Sequence, residues 1–318
     1  MIHYGASDFL PLSRLAEKKQ AMKSIVSVVV PTFNEASTIG TIIAVTKKEM
    51  IDEIALVDEI VVIDSHSTDA TVDIAKEAGA RVFTSNSIPA PCDPMCGKGA
   101  SLWKALFVTR GDIIVCIDAD IKNFTPQFIY GLIAPFLENS RTIFAKAFYR
   151  RPFIIDHNVY ENYGGRVTEI LVRPFLSAFA PDLAAIHQPL SGEYAFRRAP
   201  VEKVPFSSGY GVEIGLIFDL YRKYGLEFFA EVDMGVRHHR NRPIEELGKM
   251  AFGILQTIFR KLEEEKILTI NIPWRDTMIS QGVDGLKQTS IIEVELPPKI
   301  QYTPEPSFNP NNAKGIDG

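Results

Sequence analysis

The sequence predicts an α/β fold in which a mainly parallel β-sheet is covered by helices. Over the first 120 residues, short runs of β-branched and other apolar residues alternate with helix-like stretches. The runs lack the polar alternation of a half-exposed strand, so they fit strands that are buried on both faces. Polar residues follow these strands, and sheets of this class bind ligands beyond the carboxyl ends of their strands.

The first half of the chain contains four predicted strands and three predicted helices. The strands span residues 25–30, 60–63, 81–83 and 113–117, and the helices between them span residues 37–50, 68–79 and 98–109. This βαβαβαβ order is typical of a half that binds a nucleotide. We therefore expect the active cleft at the carboxyl edge of these strands.

The second half of the chain has a mixed pattern of helices and strands. Helices are predicted at about 125–138, 166–180, 213–224 and 243–266, and strands at about 141–149, 193–197 and 228–236. We expect these elements to extend the same sheet, so that residues 25–120 and 121–295 form two halves of one domain. Residues 1–24 are predicted as an N-terminal extension, and the Pro-, Asn- and Gly-rich residues 296–318 as an extended or disordered tail.

Composition and charge exclude several classes of protein. The 34 Lys and Arg residues against 39 Asp and Glu residues give a net charge of −5, which argues against a general nucleic-acid binder. No apolar run approaches the roughly 18 residues of a membrane span, and the first residues lack a signal-peptide pattern. A cytoplasmic protein without membrane association is therefore expected. Cys92, Cys96 and Cys116 form no CxxC pair, so free thiols are expected.

Two aspartates directly follow the fourth predicted strand. Asp118 and Asp120 are two residues apart, so their side chains point the same way where the strand loses its pairing. Two such carboxylates can face one divalent cation, as a metal-bound sugar-nucleotide diphosphate would require. Alternatively, Asp120 caps the following turn and Asp118 is merely solvated.

The ends of the first two strands carry polar turns that allow two interpretations. Asn34 or Ser37 could cap the following helix, and the negative charge of Glu35 would then lie near the positive end of the helix dipole. The second turn, which contains Ser65, could be explained by local Asx and Ser/Thr turns. Both turns could also hydrogen-bond a nucleoside, and their equivalent positions at two strand ends favour that function.

Lys98 lies between two glycines and opens a predicted helix. The glycines would allow close backbone approach and the lysine would offer a positive charge, which together suit a nucleotide. The stretch lacks the spacing of a P-loop, and no GxGxxG follows the first strand. The sequence therefore disfavours both P-loop ATP hydrolysis and a dinucleotide-dependent dehydrogenase.

Two segments of the second half combine arginines with helix starts. The first contains Arg166 and Thr168, and the second runs from Arg237 to the predicted long helix and contains Asn241. Each could bind a phosphorylated or carboxylated acceptor, or be a solvated basic loop. A histidine of the second segment could ligate a metal beside Asp120. Glu213, at the start of an apolar helix, could be a dipole partner or could bind a sugar hydroxyl.

Taken together, these motifs resemble one family of glycosyltransferases. The stretches are VVVPTFNEASTIG, DSHSTDAT, GKG, DAD, GGRVTE, QPLSGEY, GYGVEIG and VRHHRNRP. They resemble the glucosyl-3-phosphoglycerate synthases, and the related mannosyl-3-phosphoglycerate synthases share the pattern. The motifs run in order from about residue 28 to residue 243, some two thirds of the chain. The resemblance implies a GT-A-type, Rossmann-like sheet whose irregular second half binds the acceptor.

The resemblance also implies roles for individual residues. Donor-binding residues would be Pro31, Thr32, Phe33, Glu35, Ser65, Lys98, Asp118, Ala119 and Asp120, and acceptor-binding residues would be Gly165, Arg166, Thr168, Arg237 and Asn241. Asp120 and His239 would hold Mg²⁺ or Mn²⁺; His239 is chosen over His238 because it occupies the His-Arg-Asn position. Leu190 and Glu213 would lie close to the donor sugar and, with Asp120, form the candidate catalytic set.

The implied activity is transfer of glucose from UDP-glucose to the 2-hydroxyl of 3-phospho-D-glycerate with retention. The products would be UDP and glucosyl-3-phosphoglycerate, a precursor of glucosylglycerate, and the resemblance further implies a homodimer. Two alternatives are a GDP-mannose donor and a non-catalytic sugar-nucleotide-binding module. Arg166, Thr168 and Asn241 argue against the second alternative, because such a module would lack acceptor loops. A nucleotidyltransferase would show a glycine-rich loop after the first strand.

Overall fold

The structure is a computed structural model that describes residues 1–91, 97–155, 158–162, 165–238, 242–282 and 285–303. Nine strands form the central sheet: β1 (Ile2–Gly5), β2 (Val26–Thr32), β3 (Glu59–Asp64), β4 (Arg81–Thr84), β5 (Ile113–Cys116), β6 (Phe144–Ile155), β7 (Asn158–Asn162), β8 (Tyr194–Arg197) and β10 (Phe229–Val236). The order across the sheet is β1-β10-β6-β8-β5-β2-β3-β4, with β7 paired to β6. All neighbours are parallel except β7 with β6 and β8 with its two neighbours.

Ten α-helices accompany the strands in the described residues. They are α1 (Leu12–Met22), α2 (Ile39–Val45), α3 (Thr71–Glu77), α4 (Lys98–Val108), α5 (Gln127–Glu138), α6 (Arg173–Phe179), α7 (Pro181–Ala184), α8 (Arg198–Val201), α9 (Val212–Tyr224) and α10 (Ile244–Glu264). A π-helical stretch, Thr46–Glu53, continues α2, and another, Thr168–Val172, leads into α6. Two small antiparallel pairs remain, β11 (Thr277–Gly282) with β12 (Gly285–Ser290) and β9 (Phe206–Ser207) with β13 (Glu295–Leu296). No helix among these is both long and apolar enough to cross a membrane.

The predicted α/β fold with a mainly parallel sheet is confirmed. The four strands expected in the first half are β2 to β5, and the second half extends the same sheet through β6, β8 and β10. Alternate residues of β2 enter different cores, because Val28 packs on the side of α2 and α5 whereas Val29 packs on the side of α4 and α9. Both faces of the strand are thus covered, which explains why Val28, Val29 and Val30 follow one another without polar alternation.

The N-terminal extension contributes an edge strand and a helix that the sequence analysis left unassigned. β1 pairs in parallel with β10, more than two hundred residues later in the chain. A strand of four residues offers little periodicity, so its pairing depends on a distant partner. The β11–β12 hairpin was not predicted either, because its two strands are mostly exposed and contain no apolar run.

The beginning of the predicted C-terminal tail lies against the domain. Leu296 is buried in β13, and the indole Nε1 of Trp103 donates a hydrogen bond to the carbonyl of Pro297 at 2.8 Å. The ring of Tyr302 meets that of Trp103 edge to face at 5.0 Å. Residues 304–318 of the predicted tail lie outside the described residues.

Of the three predicted free thiols, the structure describes one. Cys116 is a buried, unbonded cysteine at the end of β5. Burial raises the pKa of this thiol far above its usual range, so it stays protonated. Cys92 and Cys96 lie outside the described residues.

Candidate active site

A cleft of about 1120 Å³ opens at the carboxyl edge of the central strands, where the sequence predicted it. All predicted site residues that the structure describes line this cleft: Pro31, Thr32, Phe33, Glu35, Ser65, Lys98, Asp118, Ala119, Asp120, Gly165, Arg166, Thr168, Leu190, Glu213 and Arg237. The other two, His239 and Asn241, lie outside the described residues. The cleft exceeds the volume that one small ligand fills, so it can hold two substrates.

The polar turns after β2 and β3 are hydrogen-bonded to each other. The side-chain oxygen of Asn34 accepts a bond from the Thr68 backbone N–H at 2.8 Å, and the Asn34 N–H donates to Ser67 Oγ at 2.8 Å. The alternative that Asn34 or Ser37 caps α2 is wrong, because the residue before that helix is Thr38. The linked turns hold Phe33 with 58% of its surface exposed at the cleft, where its ring can stack on a flat ligand such as a base.

The glycines around Lys98 pack closely against another part of the chain. A Cβ added to Gly99 would lie 1.9 Å from the carbonyl oxygen of Ser207, and one added to Gly97 would lie 2.9 Å from the Cα of Gly209. The amide of Gly99 also donates to the carbonyl of Gly209 at 3.1 Å. These glycines therefore let the N-terminus of α4 pack against another backbone segment, which carries Lys98 into the cleft.

Lys98 lies between two carboxylates. Its Nζ is 2.6 Å from Asp118 Oδ1 and 2.8 Å from Glu213 Oε1. Burial alone would lower the pKa of Lys98, but Asp118 and Glu213 raise it well above its usual value. Burial likewise opposes ionisation of Asp118, yet Lys98 and Arg237 hold the pKa of that carboxyl far below its usual range. Lys98 and Asp118 therefore stay charged at neutral pH.

Arg237 holds the two aspartates of the DAD motif from the other side. Its Nη2 is 2.8 Å from Asp120 Oδ1, 3.4 Å from Asp118 Oδ2 and 2.9 Å from Glu193 Oε1. Asp118 is therefore ion-paired, which contradicts the alternative that it is merely solvated. Burial lowers the pKa of Arg237, but the surrounding carboxylates, Glu193 first, raise it well above its usual value. Glu193 belongs to the QPLSGEY stretch, and its complete burial and this ion pair identify it as a support of Arg237.

A group of basic side chains also lines the cleft. Arg166 is exposed and donates from Nη2 to the carbonyl of Arg242 at 3.0 Å, and Arg242 Nη1 donates to the Tyr210 hydroxyl at 3.1 Å. Arg151 also lines the cleft, and a Cβ added to Gly165 would lie 3.2 Å from its Nη1. Arg151 was not predicted, whereas Arg242 belongs to the second basic segment but was given no role of its own. This cluster of guanidinium groups suits an anionic acceptor.

Glu293 is a further cleft residue that the sequence analysis missed. Its Oε1 accepts a hydrogen bond from the backbone N–H of Gly209 at 2.5 Å, and the side chain is almost completely buried. Burial raises the pKa of this carboxyl to about 7, although bonds from the amides of Gly209 and Gly211 act in the opposite direction. No motif surrounds Glu293, so only the tertiary structure reveals its place beside the Gly209 turn.

The chain is similar to several known proteins. The model of the family described as Glycosyl transferase family 2 matches residues 27–181. The glucosyl-3-phosphoglycerate synthase of Petrotoga mobilis is 43% identical over 298 residues, which cover 92% of each chain. The solved mannosyl-3-phosphoglycerate synthase of Rubrobacter xylanophilus superposes with a TM-score of 0.86 at 35% identity, covering 94% of this chain and 97% of that one.

A second solved relative carries ligands. The glucosyl-3-phosphoglycerate synthase of Mycobacterium tuberculosis in complex with Mn²⁺, UDP-glucose and phosphoglyceric acid superposes with a TM-score of 0.77 at 37% identity. The match covers 91% of this chain and 94% of that one. A protein of this architecture therefore holds a sugar nucleotide, a metal ion and a three-carbon acid together.

Proposed function

We infer that this chain, which belongs to the glucosyl-3-phosphoglycerate synthase family, transfers glucose from UDP-glucose to 3-phosphoglycerate. The observation that carries this inference is that the described donor and acceptor residues line one and the same cleft. Its volume of about 1120 Å³ leaves room for both substrates. The products are UDP and glucosyl-3-phosphoglycerate, a precursor of glucosylglycerate.

The turns after β2 and β3 form the donor end of the cleft. Phe33 offers an exposed ring to the uracil, and Thr32, Glu35 and Ser65 offer polar groups to the nucleoside. Pro31 and Ala119 also line the donor end of the cleft, and Leu190 lies where the donor sugar would bind. Lys98 and Arg237 fix the direction of the Asp118 and Asp120 carboxylates through ion pairs, which prepares them for the diphosphate end of the donor.

Asp120 and His239 are the proposed ligands of a divalent cation, Mg²⁺ or Mn²⁺. Asp120, the described member of this pair, fits such an ion, because it lines the cleft and hard divalent cations prefer oxygen ligands such as its carboxylate. His238, the neighbour of His239 in the chain, is bonded to residues that closely follow Asp120. Its N–H donates to Asn123 Oδ1 at 2.7 Å, and its carbonyl accepts from the Lys122 N–H at 3.1 Å. When bound, the ion supplies positive charge to the leaving diphosphate.

The acceptor end consists of Gly165, Arg166 and Thr168, with Arg237 and Asn241 from the second basic segment. Arg166 and its neighbour Arg242 would bind the phosphate or carboxylate of 3-phosphoglycerate. Arg237 is already engaged by three carboxylates, so its main contribution is to neutralise them. The bound acid then presents its 2-hydroxyl to the anomeric carbon of the sugar.

We propose that the reaction retains configuration through a front-face displacement. The 2-hydroxyl oxygen of the acceptor bonds to the anomeric carbon as the bond to the diphosphate breaks, and the hydroxyl proton passes to the departing phosphate oxygen. Glu213 is the nearest candidate for a covalent nucleophile, but its carboxylate is buried and ion-paired with Lys98 at 2.8 Å. Glu213 is therefore assigned to orienting hydroxyl groups, and Glu213→Gln should lower the rate without yielding a glycosylated enzyme. A sugar trapped covalently on Glu213 in the wild-type protein would contradict this route.

The proposed activity is tested by measuring nucleotide release with 3-phosphoglycerate as acceptor. UDP-glucose should support turnover, and the product should be α-linked by NMR. GDP-mannose is the second donor to test, because the mannosyl-3-phosphoglycerate synthase of Rubrobacter xylanophilus superposes so closely. Faster turnover with GDP-mannose than with UDP-glucose would overturn the assignment of the donor.

The homodimer and the cytoplasmic location remain predictions from the sequence and its resemblance. Light scattering coupled to size-exclusion chromatography measures the first, since a dimer has twice the 35.5 kDa mass of the chain. A mass near that of one chain would contradict it. Fractionation of the source cells tests the cytoplasmic location.

A further inference from the structure

A second group of metal-ligating side chains lies at the β1 edge of the sheet, outside the cleft. His3 on β1, Glu231 on β10 and His187 in the loop before β8 each offer one ligand atom, and these atoms lie within 4.8 Å of one another. None of the three residues lines the cleft. The parallel register places His3 directly beside Glu231, so the two side chains share one face of the sheet.

The carboxylate of Glu231 is buried and surrounded by these imidazoles. It is 1% exposed, and its Oε1 accepts a hydrogen bond from the His187 backbone N–H at 2.8 Å. Its Oε2 lies 2.7 Å from His187 Nδ1 and 3.5 Å from His3 Nδ1. Within the described residues, its ion-pair partners are only these histidines, which carry charge only when protonated. A buried carboxylate needs a compensating charge, and a divalent cation would supply one while both imidazoles remain neutral.

The spacing of the three groups suits a small divalent ion. Zinc binds nitrogen and oxygen at about 2.0–2.1 Å, so two ligand atoms in a tetrahedral site lie about 3.3 Å apart. The two imidazole distances to Glu231 Oε2, 2.7 and 3.5 Å, lie on either side of that value. About half of each histidine side chain is exposed, so an ion can enter from solvent and a water molecule can complete the coordination.

The orientation of His187 is already fixed. Its ring stacks on Phe148 with centroids 4.4 Å apart and an interplanar angle of 13°. It also meets the ring of His3 edge to face at 5.5 Å. Ligands whose rings are held by neighbours lose little conformational freedom when they bind an ion.

We propose that His3, His187 and Glu231 bind a divalent transition-metal ion, with Zn²⁺ as the best match. Two imidazoles and one carboxylate are a ligand set that zinc uses, and nitrogen ligands disfavour Mg²⁺ and Ca²⁺. The ion ties the edge strand β1 and the loop before β8 to β10. Three residues further along that loop, Leu190 lines the cleft, so the same ion fixes the start of a cleft-lining segment.

The test uses the full chain carrying Asp120→Ala, which weakens metal binding in the cleft. After removal of metals, this protein is titrated with Co²⁺, whose visible absorption reports coordination by histidine. It should bind one Co²⁺ per chain, and Zn²⁺ should raise its melting temperature. Adding His3→Ala or His187→Ala should lower Co²⁺ affinity at least 10-fold and remove the effect of Zn²⁺. Because both histidines are half exposed, these variants should fold.

A matched control is His66→Ala in the same Asp120→Ala protein. His66 is an exposed histidine whose Nε2 lies 3.0 Å from Asn86 Oδ1, outside the proposed ligand set. This change should leave Co²⁺ binding unaltered. The proposal is wrong if the Asp120→Ala protein binds no Co²⁺, or if the His3→Ala and His187→Ala proteins bind it as tightly as the control does.

Discussion

Ionisation of Glu293 should make the folded protein less stable as the pH rises. Burial raises the pKa of this carboxyl from 4.5 to about 7. One pKa unit corresponds to about 1.4 kcal/mol, so ionisation of Glu293 in the folded state costs about 3 kcal/mol more than in the unfolded chain. Since the folded protein binds the extra proton, this contribution to stability is complete below pH 4.5 and is lost as the pH rises through about 7.

The change that isolates this effect is Glu293→Gln, which keeps the size of the side chain and an oxygen that can accept the Gly209 amide. Between pH 4.5 and pH 8, the wild-type protein should lose about 3 kcal/mol more unfolding free energy than the variant. Urea unfolding at a series of pH values measures both curves. At pH 8 the variant should be the more stable protein.

Glu245→Gln is the matched control, because it removes the same charge from an exposed position in the first turn of α10. Its pH dependence should follow that of the wild-type protein. If Glu293→Gln shows the same pH dependence as the wild-type protein, the account of Glu293 as a buried carboxyl held protonated near neutrality is refuted.

Three further changes test the site and its framework. Asp120→Ala and metal chelation should each abolish turnover while the circular dichroism spectrum stays unchanged; full activity of the variant in metal-free buffer would contradict the metal assignment. Arg166→Ala should raise the KM for 3-phosphoglycerate roughly 10- to 150-fold, from about 1.5–3 kcal/mol for a charge-assisted hydrogen bond, with no change in UDP-glucose affinity. A loss of donor affinity instead would reverse the two ends of the cleft. Gly99→Ala should lower the free energy of unfolding, measured in urea, by about 1–3 kcal/mol or more, because the added Cβ would clash with the Ser207 carbonyl. Gly248→Ala is the control and should cost less, because its added Cβ would meet only the flexible methyl group of Met278. Equal stabilities of these two variants would contradict the packing role of Gly99.

The fold was predictable because its signals are local. Strands buried on both faces need apolar residues at consecutive positions, and β2, β3 and β5 each have at least three of them in a row. Strand ends in a parallel sheet meet at one edge, so Asp118 and Asp120 could be assigned to a cleft before any coordinates were known. The resemblance to the family then singled out residues such as Arg166 as candidate acceptor ligands. The sequence around Arg166 by itself indicates only the start of a helix with a basic residue.

Contacts between distant parts of the chain were decided by the tertiary structure. Glu193 and Arg237 pair across 44 residues, and Glu293 reaches Gly209 across 84 residues, without any periodic pattern to announce them. The pairing of β1 with β10 belongs to the same class.

The flanking glycines of Lys98 show the limit of motif reasoning most clearly. The sequence indicated that a close backbone approach is possible at Gly99, because glycine has no side chain to prevent it. It could not determine that the approaching group is the carbonyl of Ser207 and not a nucleotide. Local sequence specifies which backbone conformations and charged groups are available. The partners of these groups depend on how the whole chain packs, because they come from distant parts of the sequence. Burial then sets the charge state of groups such as Glu293.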